Sequence, residues 1–379
     1  MRIDKLFILS VLSFLLPLSV LADNDAEPRG EKPSDAIIHH ILDSHDWHIT
    51  DWPVTGDDGH VHYKAIGLHL PWMFYSSKDG FVFSGSTEGL EEKGYFAYHE
   101  HVYAMTPGAN LAEHKDEHGH LHFENDEAWE SWKASNVDES VHAYDFSITK
   151  TALQMMIVGI LLIIVFISVA NSYKKRDGQA PKGLQSLLEP IIMFVRDDIV
   201  KEYIPKKQAF FTPYLLTLFF FIWFSNLLGL TPFNSNIMGN ISVTAALAFF
   251  TFILIHVNAS KDYWHHMFAM PGVPKGVVPL MTVIEVLSAI IKPSALAIRL
   301  FANITAGHFM ILSLISLIFI LGKGGTSFGG AAGIAPISIL FTIAIFALEM
   351  IVAIIQAYIF TLLSAVFIGM AMESHDDHH

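Results

Sequence analysis

Residues 208–260 contain no Asp, Glu, Lys or Arg, and a second apolar run extends from about Val277 to Leu321. As a helix rising about 1.5 Å per residue, the second run would be about 67 Å long. That is about twice the ~30 Å thickness of a bilayer core. Stretches of this kind place the chain in a membrane, and the composition agrees: 52% of residues are hydrophobic and 16% charged. The first stretch reads as two spans, about 209–231 and 238–258, hinged at "TPFNSN". The second has no internal turn signal except Pro293, so it predicts one long, tilted, locally kinked helix. A Gly-rich segment, "GKGGTSFGGAAGIAP", closes it, and a second long helix over about 336–371 returns.

Ahead of these lies "ALQMMIVGILLIIVFISVA", 152–170, long enough to span. It ends at Lys174–Arg176, which puts that end in the cytoplasm by the positive-inside rule. Residues 184–204 mix charges with apolar residues at helical spacing and are expected on the cytoplasmic membrane face. Lys261 and Lys275 mark the same side. The sum is a mostly α, polytopic membrane protein with five crossings, its last two long tilted helices forming a hairpin and its C-terminus in the cytoplasm.

The charge is unevenly placed. Residues 23–148 hold 25 Asp/Glu against 7 Lys/Arg, and residues from 149 onward hold 11 against 14. An acidic half of this kind repels phosphate, which excludes nucleic acid as a partner. There is no cysteine, so disulfides and thiol chemistry are excluded. Residues 1–22 carry a basic start at Arg2 and Lys5, an apolar run, and Val20-Leu21-Ala22 before acidic residues. That order predicts a signal peptide cleaved after Ala22. It makes 23–148 an exported, periplasmic domain, 149–372 the membrane domain, and 373–379 a cytoplasmic tail.

The exported domain is expected to be mixed β with some helix. "YKAIGLHLPWMFY", "SSKDG" and "FVFSG" read as two strands about an Asp79-Gly80 turn, and "DEAWESWKA" as a short helix. Trp47, Trp52, Trp72, Trp129 and Trp132 are candidates for its core. Fourteen of the 21 histidines lie here, including "HKDEHGHLH" at 114–122. His118, His120 and His122 could ligate zinc or copper, but without a clean ligand spacing a solvated polar loop is the preferred reading. No cofactor is expected.

The membrane half holds polar residues where they are expensive. On a helical wheel Arg299 shares a stripe with Ser288, Ala295, Asn303 and Ala306, a small-residue face suited to a close-packed partner. His308 points about 180° away from Arg299 at 100° per residue. Glu349 and Gln356, seven apart, share a face of the last helix. An antiparallel hairpin would bring Glu349 toward His308 and Gln356 toward Arg299. One intramembrane arginine can snorkel, and one histidine can be a satisfied core residue. These four together, with Glu285 and Lys292 upstream, favour an ion pathway over packing.

Three stretches resemble the a subunit of F-type ATP synthases: "RLFANITAGH" from Arg299, "QAYIF" from Gln356 and "SNLLGLTPF" from Ser225. They stand in that family's order and spacing, and the resemblance covers about 149–372. It implies a proton-conducting stator subunit, without a nucleotide site of its own, in the inner membrane. Its partners would be a ring of c subunits, the b subunits of the peripheral stalk and the rest of the synthase. Arg299 would be the essential arginine facing the ring, with Asn303 and Gln356 beside it. His308 and Glu349 would be the titratable pair of the exterior-side half-channel, which some members carry in the opposite order. Asn226 would be a polar half-channel residue. Where some members have a carboxylate just after it, this chain has Gly229, which moves the entry route to other groups such as Asn234 or Asn236. The exported domain lies outside the family pattern. A secondary ion transporter or channel with an accessory domain is the rival class. It predicts internal repeats, and the sequence has none.

Overall fold

A computed structural model describes residues 46–55, 61–98, 101–115, 121, 123, 125–176, 178–231, 236–268, 274, 276–321 and 328–373. The expected signal peptide, Asn234, and His118, His120 and His122 lie outside the described residues. The chain divides into two compact units, Leu42–Leu153 and Gln154–His379.

The first unit is built from short strands. β1 (Asp46–Thr55) and β2 (Val61–His69) form an antiparallel pair. β3 (Trp72–Ser76) pairs with β4 (Gly80–Ser84) through a turn that ends at Gly80, whose φ of 73° suits glycine. The run from Tyr63 to Tyr75, expected as one strand, is therefore two, β2 and β3, separated at Leu70-Pro71. Proline has no N–H to give a ladder, which accounts for the break. A single turn of helix, α1 (Thr87–Glu91), is capped by Ser86 and leads to the hairpin β5 (Tyr95–Tyr98) and β6 (His101–Ala104). α2 (Asp126–Asn136) is the helix expected from "DEAWESWKA", and the Asn125 side chain accepts from the Ala128 N–H to cap it. β7 (Ala143–Asp145) joins the other edge of β3, giving the sheet order β4-β3-β7.

Two aromatic cores result. Trp72, Phe74, Val82, Leu90 and Tyr95 are buried together, and Phe96, Phe123 and Trp129 form a second cluster with Trp132 packed against it. Of the five candidate core tryptophans, Trp72 and Trp129 are buried and Trp132 half-buried; Trp47 and Trp52 lie on β1.

The second unit is helical. α3 (Lys150–Lys175) is followed by α4 (Leu184–Phe194), a π-helical turn (Val195–Val200) and a last helical turn (Lys201–Tyr203). These replace the single interfacial helix expected over 184–204. α5 (Gln208–Gly229) and α6 (Ile241–Val257) make the first hairpin, and α7 (Lys261–Phe268) turns away from α6 by 102°. α8 (Val278–Leu321) is one continuous helix, as the missing turn signals predict, and Pro293 stands inside it without ending it. α9 (Phe328–Met372) follows. Among the described residues four helices are long and apolar enough to cross a membrane, or five if α6 and α7 count as one bent span.

α8 packs along α9 and also on α6, while α9 packs on α5. Alanines 353, 357, 365 and 371 are fully buried on α9, and small side chains let helix backbones come close. At the end of α9, Ser260 N–H donates to the Ala371 carbonyl at 2.8 Å, and its hydroxyl donates to the Glu373 carbonyl at 2.9 Å. Carbonyls left open by the helix end are so satisfied. A β-carbon at Gly369 would strike the Tyr203 carbonyl. Glycine is what lets α9 close against the helical turn Lys201–Tyr203.

Candidate functional site

The site is set by the register of α8 against α9. Two contacts define it. The Lys292 ammonium lies 5.8 Å from the Phe367 ring, and Glu349 presses on the backbone at Gly307. Residue numbers rise along one helix and fall along the other, so the pair is antiparallel. Interpolating between the two contacts puts Gln356 level with about residue 301, between Arg299 and Asn303 along the axis.

Glu349 and Gln356 are 5% and 6% exposed, on the face of α9 that also buries Ala353 and Phe360. A β-carbon at Gly307 would occupy the space of the Glu349 carboxylate. The absence of a side chain at 307 thus lets a carboxylate sit against α8 next to His308, which is half-buried. Asn226, 2% exposed on α5, reaches the same seam: its Nδ2 donates to the Ala353 carbonyl at 3.4 Å, between Glu349 and Gln356. The sequence-predicted residues Asn226, Glu349 and Gln356 are thereby brought to one buried seam.

That seam and other buried positions of the helical unit are under-satisfied. Asn226 Oδ1 and the hydroxyls of Ser225, Thr305, Ser338 and Thr361 are buried with no hydrogen-bond partner among the described residues. A buried polar group left unpaired costs about 1–3 kcal/mol. Ser338 and Thr342, also buried, precede Glu349 by eleven and seven residues, on nearly the same face of α9. These two, with Gly307, are residues the sequence reading missed. The spacing of Ser338, Thr342, Glu349 and Gln356 at multiples of a helical turn could have revealed the polar line. Asn236 does not join it, because its side chain accepts from the Gly239 N–H at 3.0 Å and caps a turn.

Arg299 and Asn303 lie on the opposite kind of surface. Both are exposed, as are Ala295 and Ala306, while Leu296, Ala297, Leu300 and Ile304 are buried on the other side of α8. The arginine stripe is part of the wide face of α8 that the described residues leave exposed. Farther down α8, Glu285 and Lys292 line a polar cavity of about 370 Å³ with His256, Asp262, His266 and Glu373. Ser288 is half-buried and does not line it. The Arg299 Cα stands seven residues from Lys292 and eight from Gly307, about 10–12 Å along the helix in each direction. Glu285 and Lys292 are thus kept apart from the Glu349 seam, with the arginine level between them. Among the described residues no group of three His, Asp or Glu could hold a metal ion.

Fold and site define a multi-pass helical membrane protein whose longest helix pair carries buried polar groups. The chain belongs to the ATP synthase A chain family, whose model matches residues 153–369. ATP synthase subunit a of Chloroherpeton thalassium is 43% identical over 243 residues, covering 63% of this chain and 70% of that relative. ATP synthase subunit a 2 of Chlorobaculum tepidum is 42% identical over 247 residues, covering 63% and 68%. ATP synthase subunit a of Anaeromyxobacter dehalogenans is 41% identical over 244 residues, covering 62% and 60%. Residues 36–137 match a second family model, a domain of unknown function, DUF8433.

Proposed function

We propose that the chain is the proton-conducting stator subunit of an F-type ATP synthase, with Arg299 set between two half-channels. One observation carries the reading. A permanently charged residue sits exposed in the middle of an apolar 44-residue helix, with a buried polar seam on one side along the axis and an open polar cavity on the other.

The first half-channel follows the line of Ser338, Thr342, Glu349 and Asn226, with His308 and Glu349 passing the proton as a coupled pair. Unpaired buried oxygens along this line suit bridging water. The second opens through the cavity lined by Glu285 and Lys292. The partner that covers the Arg299 face is a ring of c subunits carrying a carboxylate. That carboxylate takes a proton from one half-channel and releases it to the other. The guanidinium favours its ionised form by opposite-charge stabilisation, so the proton leaves before the site passes. Arginine serves because its guanidinium stays charged at any working pH. Gln356, level with the arginine, supplies a neutral donor and acceptor beside it.

The same reading sets the topology. α6 and α7 count as one broken span, giving five crossings of the inner membrane. The N-terminal unit is periplasmic after removal of residues 1–22, and the C-terminus is cytoplasmic, near b subunits of the peripheral stalk.

The test is Arg299→Ala in the native complex. The Arg299 residue is exposed, so the complex is expected to assemble, as read by immunoblot. Proton-driven ATP synthesis in inverted vesicles is expected to fall to background, and Arg299→Lys to fail largely as well. Near-normal synthesis by Arg299→Ala would refute the reading.

A further inference from the structure

The sheet β4-β3-β7 has two unlike faces. Trp72, Phe74 and Val82 point into the core of the first unit. On the other face the register places Met73 opposite Phe83, Tyr75 opposite both Phe81 and Tyr144, and Phe146 beside Met73, to whose carbonyl it donates its N–H at 2.9 Å. These six side chains form one apolar surface. Phe81 is 86% exposed, and Phe83, Tyr75, Tyr144 and Phe146 are all more than 40% exposed. Five exposed aromatics on one small sheet exceed what a domain in water presents without a partner.

The chain itself indicates what covers them. The Ser147 hydroxyl accepts from the Met73 N–H at 2.8 Å, so the strand stays pinned to β3 as far as Ser147. The Thr149 hydroxyl accepts from the Ala152 N–H at 3.3 Å, so α3 starts there. One residue, Ile148, separates them, and the gap is at most about 7 Å. Both ends of this link lie within the same compact unit, which extends to Leu153. α3 is a candidate membrane span, and its polar first turn, Lys150 to Gln154, rises about 6 Å. The headgroup layer on each side of a bilayer is also about 5–8 Å thick. The aromatic sheet is therefore tethered at the height of the headgroups, where tyrosine and its relatives partition favourably. Charge does not draw it there, since residues 23–148 hold 25 Asp/Glu against 7 Lys/Arg.

We infer that the Met73, Tyr75, Phe81, Phe83, Tyr144 and Phe146 face is a lipid-binding surface that seats the N-terminal unit on the headgroup layer of the membrane α3 enters. The contact is apolar and aromatic rather than electrostatic. It is independent of the proton pathway and of which side of the membrane the unit occupies.

The chain has no cysteine, so single-cysteine variants take one label each. Phe81→Cys, Phe83→Cys and, as a control on the exposed α2–β7 connection, Glu139→Cys carry a nitroxide in the full-length chain in phosphatidylcholine nanodiscs. Unchanged thermal unfolding, followed by tryptophan fluorescence, qualifies each sample. At 81 and 83 the ratio of oxygen to nickel-chelate collisions is expected to exceed that at 139 severalfold, and to persist at high salt. Equal ratios at all three sites would place the face in water and overturn the inference. Exclusion of both probes would assign the cover to protein, and dipolar broadening between labels to a second copy; either result overturns it. Loss of the protection at high salt would also overturn it, because an ionic contact would then be responsible.

Discussion

The two units treat buried polar groups in opposite ways. In the N-terminal unit the buried hydroxyls are paired. The Tyr95 hydroxyl donates to Asp79 at 2.5 Å and pairs with Ser76 Oγ at 2.7 Å, and Ser84 donates to the Ser86 carbonyl at 2.9 Å. In the membrane unit, Ser225, Asn226, Thr305, Ser338 and Thr361 each bury an oxygen without a partner among the described residues. A domain folded in water cannot spare the 1–3 kcal/mol that each such group costs, roughly, because its whole margin is about 5–15 kcal/mol. The membrane unit keeps several, spread over helices α5, α8 and α9, where the proposed proton pathway gives them a use that stability does not.

The largest test of that contrast is chemical. His308→Ala and Glu349→Gln are each expected to lower proton-driven ATP synthesis about tenfold or more, equivalent to about 1.4 kcal/mol on the limiting step. The exchange of His308→Glu with Glu349→His should recover part of it. Vesicle assays measure both, and wild-type rates in the single and double variants would remove these residues from transport.

In the other unit the expected effect is on stability alone. Phe74 is fully buried against Tyr95, with ring centroids 4.9 Å apart, so Phe74→Ala should destabilise that unit by about 3–5 kcal/mol. Synthesis by the assembled complex should stay near wild type. A parallel loss of synthesis would break the division of labour between the units.

Gly307→Ala should come next. Its β-carbon meets the Glu349 carboxylate, and overpacking of this kind costs about 1–3 kcal/mol, partly offset by the better helix propensity of alanine. Thermal unfolding in detergent should fall for Gly307→Ala and recover in the double variant with Glu349→Ala. Additive losses would show that the two positions do not touch.

The smallest effect is a pH dependence. Burial, and then the bond to Asp79, push the Tyr95 phenol above its ordinary value of 10.0. A group raised in the folded state contributes stability that is present in full below its unfolded value and is lost as pH rises through the folded one. The N-terminal unit should therefore lose stability above about pH 10, and Tyr95→Phe should lose less over the same window. Fluorescence-detected melting at pH values on either side measures it. Identical slopes would mean that the phenol does not titrate in the folded unit.

The sequence determined what depends on neighbours along the chain. Apolar length dictates α3, α5, α8 and α9, because a helix is the local way to satisfy every backbone group in lipid. Turn chemistry at Asp79-Gly80 and the periodicity of "DEAWESWKA" likewise act over a few residues, and the β3–β4 turn and α2 stand where they indicate. Pro71 was a legible break that the long aromatic run obscured. The wheel position of Arg299 also needed only the helix period, and Arg299, Ala295, Asn303 and Ala306 are exposed, with Ser288 half-buried.

Tertiary structure decided what depends on register between helices. Nothing local says that Gly307 lies under Glu349, since a glycine inside a helix looks like a weak position until a carboxylate is found filling its missing side chain. The approach of Asn226 to Ala353 and the joining of His256 and Asp262 with Glu285 and Lys292 around one cavity bring together residues more than twenty positions apart. The aromatic sheet face had the same origin. Phe81, Tyr75 and Phe146 alternate like ordinary strand residues, and only the pairing of β3 with both β4 and β7 gathers them on one side. Side-chain period is carried by each strand or helix alone, whereas register is a property of two elements and of the packing between them.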